Sequence, residues 1–345
     1  MAIVVRPAHL EADRELLLDA LSRFLSPLAS GPRFDWLYRG CPHGEARAWL
    51  ATEEKNGQFV GAAAYFPRRM FVEGAEVTAC VLGDFCIHPG YRSLGPALQL
   101  QRACLRDLKS GRLALAYDFP STNMTAIYGR MGIASGGEII RLAKPLRIDR
   151  KMTERIKVRP IANGLSQLGN AMLAWRDGAK DTANGCVISL EEGPYGEEFT
   201  TLAHQVSSRH GGCVERSADY LNWRYRAHPL RRHEILTARH AGSLLGYAAF
   251  VHEGEDTHIV DLFGCEDPEA VSALVSRIVK IARERGAITL SASMLASHPW
   301  ISLMEHLGFH ARESRPVMVC LPHQPAATDR QIGSNWFLMD GDRES

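Results

Sequence analysis

The chain has 345 residues, a length that accommodates about two domains of ordinary size. Apolar residues make up 46% and charged residues 23%, a globular balance that excludes a disordered tail, a collagen-like repeat or a small disulfide scaffold. Lys and Arg total 40 against 39 Asp and Glu, a formal net charge of +1, so neither duplex DNA nor an anionic membrane is implied as a bulk electrostatic partner.

The first apolar run stops at Arg6, short of a secretory h-region, and no stretch approaches the roughly 18 apolar residues of a membrane span. A cytoplasmic location is expected. The eight cysteines form no CxxC pair and read as reduced core thiols, with no metal site. A short strand (Ala2–Val5) precedes a helix whose apolar face is Leu17, Leu21, Phe24 and Leu28. Residues 46–53 and 58–66 read as strands, as do Arg69–Val72 and Glu76–Ile87 around a turn at Glu73 and Gly74. A turn at His88, Pro89 and Gly90 leads to a helix from about Gly95 to Lys109. A strand (Leu113–Tyr117), a helix (Met124–Met131) and a strand near Glu138–Ala143 follow. Residues 146–185 mix charge with Gly and Asn and read as a linker with one helix near Leu165–Trp175.

Residues 186–345 repeat the earlier order. Aligning Trp36 with Trp223 brings Tyr38 onto Tyr225 and Pro42 onto Pro229. Each block leads to a strand with a glycine before small and aromatic residues, Gly61 to Phe66 and Gly246 to Phe250. Each half closes on a helix ending in Gly and an apolar residue, Gly132-Ile133 and Gly308-Phe309. One fold therefore occurs twice, with residues 1–145 and 186–345 as the two domains, packed on each other.

The segment Phe85 to Leu98 carries the chemistry. It is a strand, a tight turn and a helix start, and Arg92-x-x-Gly95-x-Ala97 puts small residues in the first helical turn. Free N–H groups there, with the helix dipole, make a cradle for an anion. Pro96 suits the first helical position, and Arg92 adds a fixed charge. Asp84 alternates with Cys86 and His88, opposite Phe85 and Ile87. Asp84 is expected to face a cleft as a general base acting through water, with His88 as second candidate and Cys86 as a remote nucleophile. Tyr128 is a candidate general acid, because a phenol pKa of about 10 lies near that of a thiol.

Here the chain resembles the GNAT acyltransferase superfamily, whose acyl-CoA loop reads Gln/Arg-x-x-Gly-x-Gly/Ala. The matching residues are Arg92, Gly95 and Ala97, followed downstream by Asn123-x-x-Ala126-x-Tyr128-x-x-x-Gly132-Ile133. The resemblance covers about residues 1–145. It implies two tandem α/β (α+β) GNAT-like domains, each a mixed, mainly antiparallel sheet flanked by helices. It implies that Ile87 and its neighbours bind the thioester and pantetheine through backbone N–H groups. Arg92, Ser93, Leu94, Gly95, Pro96 and Ala97 would hold the pyrophosphate, Asn123 the pantetheine arm, and Tyr128 would protonate the leaving thiolate. Arg68-Arg69 and Arg231-Arg232 are expected in solvent, where one pair could reach the 3′-phosphate of CoA.

In the second copy, Glu266, Asp267 and Glu269 put acids where a pyrophosphate would sit, so that copy is expected to lack a cofactor, with Asp267 as N-cap and Pro268 as first helical residue. The expectation is an enzyme moving acetyl or another acyl group from acyl-CoA to an amine or hydroxyl of a small-molecule or cell-envelope precursor. Its acceptor and oligomeric state are left open, and no metal or nucleic acid takes part. The rivals are a non-catalytic CoA-binding sensor and a tRNA-dependent cell-wall aminoacyltransferase; a balanced charge argues against the second.

Overall fold

The strands form where β-branched and small apolar residues alternate, and they join into one twisted sheet. The computed structural model describes residues 2–147, 170, 185–264, 267–322 and 335–344. In the first half β1 (Ile3–Pro7), β2 (Arg47–Glu53), β3 (Phe59–Val72) and β4 (Ala75–Ile87) form an antiparallel meander. Helix α1 (Arg14–Phe24) and the short α2 (Gly31–Phe34) lie between β1 and β2. After β4 come α3 (Leu94–Cys104), α4 (Arg106–Lys109), β5 (Leu115–Asp118), α5 (Thr122–Arg130) and β6 (Ser135–Pro145). The strands expected at 58–66 and 69–72 are one strand. Pro67 is tolerated because it falls where β3 has left β2 and has not yet met its next neighbour.

The second half repeats this order. It has β7 (Val187–Leu190), α6 (Glu197–Ser207), β8 (Gly212–Val214) and α7 (Ala218–Leu221), then β9 (Glu234–His240), β10 (Ser243–Glu253) and β11 (Asp256–Gly264). It closes with α8 (Pro268–Glu284), β12 (Thr289–Leu295), α9 (Ile301–His306), β13 (His310–Cys320) and a tail containing β14 (Trp336–Phe337). The helix expected near Leu165–Trp175 lies outside the described residues.

Among the described residues the strand path is β1-β2-β3-β4-β5-β13-β6-β12-β11-β10-β9-β7. Read outward from the β13·β6 pair, it is the same on both sides. The last strand of each half has crossed over: β13 pairs with β5 of the first half, and β6 pairs with β12 of the second. The halves therefore share hydrogen bonds at their edges rather than only packing face to face.

The pseudo-two-fold relation is visible in side chains. The segments Asp35–Arg39 and Asn222–Arg226 each form a π-turn closed by an i to i−5 bond, Gly40 N–H to Asp35 O and Ala227 N–H to Asn222 O, both 2.9 Å. Trp36 and Trp223 stack at 4.7 Å with planes 15° apart. Each indole N–H donates to the other's carbonyl, at 2.8 and 2.9 Å. The two repeated glycines also have one cause. A Cβ on Gly61 would come within 2.6 Å of Ile87 Cδ1, and one on Gly246 within 2.9 Å of Phe263 O, because paired strands press together there.

The sheet has two covered faces. One core, covered in the first half by α1, the π-turn and the tail, runs through both halves and also includes Val271, Leu274 and Ile278 of α8. A second, beneath α3 and α5, belongs to the first half and includes Cys80, Leu82, Cys104, Tyr128 and Cys320. These are called the tail face and the α3 face below.

Candidate functional site

The parallel pair β4·β5 is in register only from Ala79 to Val81. Beyond Val81, β4 runs on to Ile87 while β5 ends at Asp118, so the two strands part. His88 N–H donates to Val60 O on β3 at 2.9 Å, and strand alternation turns the N–H of Ile87 to the opposite, open edge. Phe85 and Ile87 pack against the α3 core, as the alternation requires.

From this edge the chain turns through Pro89–Tyr91 into α3. Ser93 is the N-cap with extended backbone, and its side chain makes no capping bond. Its own N–H turns back to Tyr91 O at 2.6 Å. Leu94 is the first helical residue, so Pro96 stands third rather than first. The N–H groups left without an intrahelical acceptor are those of Leu94 and Gly95. Arg92, Ser93, Leu94 and Gly95 are exposed, whereas Pro96 and Ala97 are buried and seat the helix. A Cβ added at Gly95 would meet nothing within 4 Å, so this corner is open space. Arg92 has no ion-pair partner among the described residues. Asn123 is exposed in the first turn of α5, next to its N-cap Ser121.

Beneath this corner Tyr128 is fully buried. Its hydroxyl donates to Asp118 Oδ2 at 2.6 Å and accepts from Gln101 Nε2 at 3.0 Å. Burial, then the neighbouring Asp118, pushes the phenol well above its usual pKa. Burial also lifts the Asp118 carboxyl to about 7, against the Tyr128 hydrogen bond that lowers it. Sequence reasoning missed Asp118, since a single Asp at a strand end carries no spacing signal.

Asp84 requires a correction. It stands on the tail face, as expected, but it does not line an open cleft. It is 4% exposed and accepts two bonds from Arg33, at 2.9 and 2.8 Å, and one from Tyr38, at 2.9 Å. Its backbone has φ +46° at a bulge, where β4 carries an extra residue opposite Ala62 to Ala64. The second half repeats the device. Asp261 stands three residues before Gly264 as Asp84 stands three before Ile87, and Gly264 and Ile87 pair with the repeated glycines. Asp261 accepts from Arg216 at 3.0 and 3.1 Å and from Tyr225 at 3.2 Å. A carboxylate held the same way in both halves is an anchor for the π-turn tyrosine.

The other candidates also change. His88 Nδ1 accepts from Gly90 N–H at 3.1 Å, which uses that lone pair to close the turn. Burial pushes the Cys86 thiol up to about 12, opposite to an activated nucleophile. Arg68, expected in solvent, is fully buried, with its guanidinium over the rings of Tyr220 and Trp223 at 5.9 and 5.4 Å.

The tail was the largest omission. Residues 335–344 run along the sheet from the second half to the first. Trp336 and Phe337 pair with β8, and Asp342 takes two bonds from Arg216 at 3.0 and 2.9 Å. Tyr117 donates to Asp342 O at 2.9 Å, and Arg343 lies over the Phe119 ring at 4.8 Å. Glu344 then reaches the opening of β4: a Cβ on Gly83 would stand 2.8 Å from Glu344 Cγ. Burial and the nearby Asp84 raise the Glu344 pKa above the usual carboxylate value.

The arrangement therefore has an open strand edge, an uncapped helix start and an Asp–Tyr pair on the α3 face, with a carboxylate on the tail face. Residues 35–135 match the family model of the acetyltransferase (GNAT) domain. That segment is a GNAT acetyltransferase domain. No curated protein matches this chain in sequence. Among solved structures it is similar to an Enterococcus faecalis protein described as a probable N-acyltransferase, with 13% identity, TM-score 0.67, and 93% of this chain and 73% of that one covered. A GCN5-related N-acetyltransferase from Anabaena variabilis gives 15%, 0.65, 93% and 73%. The N-myristoyltransferase of Saccharomyces cerevisiae with bound myristoyl-CoA gives 12%, 0.58, 94% and 83%. The fold is that of GNAT acyltransferases with two GNAT-like halves. No helix among the described residues is long and apolar enough to cross a membrane. No group of three or more potential metal ligands occurs among them.

Proposed function

We propose that this chain transfers an acyl group from acyl-CoA to an amine or hydroxyl of a small acceptor, with the thioester in the β4–β5 opening. The observation that carries this reading is the open edge of β4 leading into a helix start with two unengaged N–H groups beside Arg92, which has no ion-pair partner among the described residues. The myristoyl-CoA bound to the yeast relative supports acyl-CoA as the donor. In this reading Arg92, Ser93 and the N–H groups of Leu94 and Gly95 take the pyrophosphate. Pro96 and Ala97 seat the helix, Ile87 N–H takes the pantetheine or thioester carbonyl, and Asn123 flanks the arm.

The acceptor's lone pair attacks the thioester carbonyl from the tail face. The C–S bond breaks, and the sulfur needs a proton. The Asp118–Tyr128 pair supplies it, because a carboxyl with a pKa near 7 is partly protonated at neutral pH. The acceptor's own proton passes to Glu344, which stands at the β4 opening on that face, rather than to Asp84, whose carboxylate is held by Arg33 and Tyr38. The second half takes no CoA: Asp267 already accepts from Glu269 N–H and Ala270 N–H, at 3.0 and 3.3 Å, so its helix start is self-capped.

Calorimetric titration with acetyl-CoA and longer acyl-CoAs tests this. One site per chain is expected; two equivalent sites, or none, overturns it. Release of CoA thiol, followed with and without amines, separates an enzyme from a CoA-binding sensor.

A further inference from the structure

One tail cannot cover both sides of a sheet built on two-fold symmetry. After crossing β12, where Leu295 N–H donates to Leu338 O at 3.1 Å, it covers Tyr117 and Phe119 of the first half with Asp342 and Arg343. The equivalent positions follow from register. Val81 pairs with Tyr117, and His258 pairs with Ser291. Val81 and His258 each stand three residues before the aspartate that anchors the π-turn tyrosine. Ser291 and Ser293 therefore occupy the places of Tyr117 and Phe119. Two aromatic side chains are replaced by two hydroxymethyl groups, and the tail residues Asp340 and Arg343 stand at the rim of the space this leaves. The result is a basin of about 380 Å³ on the tail face, within the usual range for small-ligand sites.

The charges around this basin are mostly spent. Its acids each hold their own arginine: Arg141 with Glu313 at 2.7 Å, Arg231 with Glu253 at 2.8 Å, and Arg343 with Asp340 at 2.7 Å. What remains uncommitted is cationic or neutral. Arg315 has no ion-pair partner among the described residues. His258 Nδ1 and Ser291 Oγ share a hydrogen bond at 2.7 Å, which leaves the His258 Nε2 without a partner among them. The basin also adjoins the proposed reaction centre. Arg343 lines it, and the next residue, Glu344, reaches the β4 opening.

We propose that this basin seats the acceptor and selects one that carries an anionic group, carboxylate or phosphate, which Arg315 binds. This rests on the acyltransferase reading for the word acceptor, though not for the existence of the site. Binding is measured by calorimetry on the full chain saturated with CoA. The matched probes are glycyl-L-valine against glycyl-L-valinamide, and O-phosphoethanolamine against ethanolamine. The anionic member of one pair should bind at least tenfold more tightly than its partner, and which pair responds tells carboxylate from phosphate. Arg315→Ala should remove about tenfold of that preference, the size of one charge-assisted contact. Ser293→Phe, which rebuilds the aromatic floor of the first half, should abolish probe binding with CoA binding and thermal midpoint unchanged. Binding of no probe, no anionic preference, or a preference that survives Arg315→Ala overturns the proposal. Failure of CoA to bind while the probes do would overturn the transferase reading and leave the site.

Discussion

Asp118 and Tyr128 illustrate how much one strand-end residue contributes. Tyr128→Phe keeps the ring and removes the proton. Turnover should fall by about 10² to 10⁴ with acyl-CoA affinity unchanged; a variant with unchanged single-turnover rate would make Tyr128 a packing residue only. Asp118 also sets a pH dependence. Its carboxyl titrates near 3.8 in the unfolded chain and near 7 in the fold. Between these values the native state holds a proton that the unfolded chain has released, so stability falls as pH rises through that window. The contribution is intact below about pH 4 and lost above 7. Asp118→Asn removes it, so the thermal midpoint of the wild type relative to Asp118→Asn should decline by several degrees from pH 4 to 7. A constant difference would show that Asp118 does not carry this proton. At the helix start, Gly95→Glu puts a side chain and a negative charge where the phosphates would sit. Open space around Gly95 predicts no loss of fold, so acyl-CoA binding should vanish at an unchanged midpoint.

At the scale of elements, the bulge in β4, the π-turn after α2 and the α2 arginine form one unit. Tyr38 and Arg33 both end on Asp84, as Tyr225 and Arg216 end on Asp261. Removing one partner of such a buried pair leaves an uncompensated charge, which costs about 3–5 kcal/mol. Asp84→Asn should therefore reduce stability in urea by that amount and lower activity only as far as unfolding requires. If instead the folded variant loses turnover at full stability, Asp84 acts in the chemistry and the anchor reading is wrong. The repeat of Trp36 and Trp223 was legible in the sequence as register. That the two indoles stack on each other, each donating to the other's carbonyl, was not, because nothing local says that equivalent residues of two copies meet at their symmetry axis.

For the whole molecule, the exchange of β6 and β13 decides what can be removed. A fragment of residues 1–150 would lose β13 from between β5 and β6, and with it the backbone partners of Ala116 to Asp118. It would also lose the tail over Tyr117. Two exposed strand edges and an uncovered apolar face predict aggregation, so this fragment should be insoluble and inactive. Soluble expression with full acyl transfer would contradict the exchange. Deleting only residues 335–345 should be milder in extent but still destabilising, because Arg216 loses Asp342 while staying buried; a midpoint within a degree of the wild type would show the tail to be dispensable.

The sequence by itself determined what depends on near neighbours. The alternation of Phe85 and Ile87 placed them toward α3, the glycine at 95 kept a helix start open, and Asp267 with Pro268 began a helix that caps itself. Register between copies exposed the repeat, since equivalent residues recur at similar spacing. The tertiary structure alone decided everything set by distant chain meeting distant chain. Asp84 looked like an accessible base until Arg33, 51 residues earlier, closed on it. Arg68 looked solvated until the rings of Tyr220 and Trp223 covered it. The tail has no periodicity of its own, yet it crosses both halves of a pseudo-symmetric sheet, lies over Tyr117 and Phe119, and leaves Ser291 and Ser293 beside an open basin. Strand exchange and an unequal tail cost nothing in local pattern, so no local pattern records them.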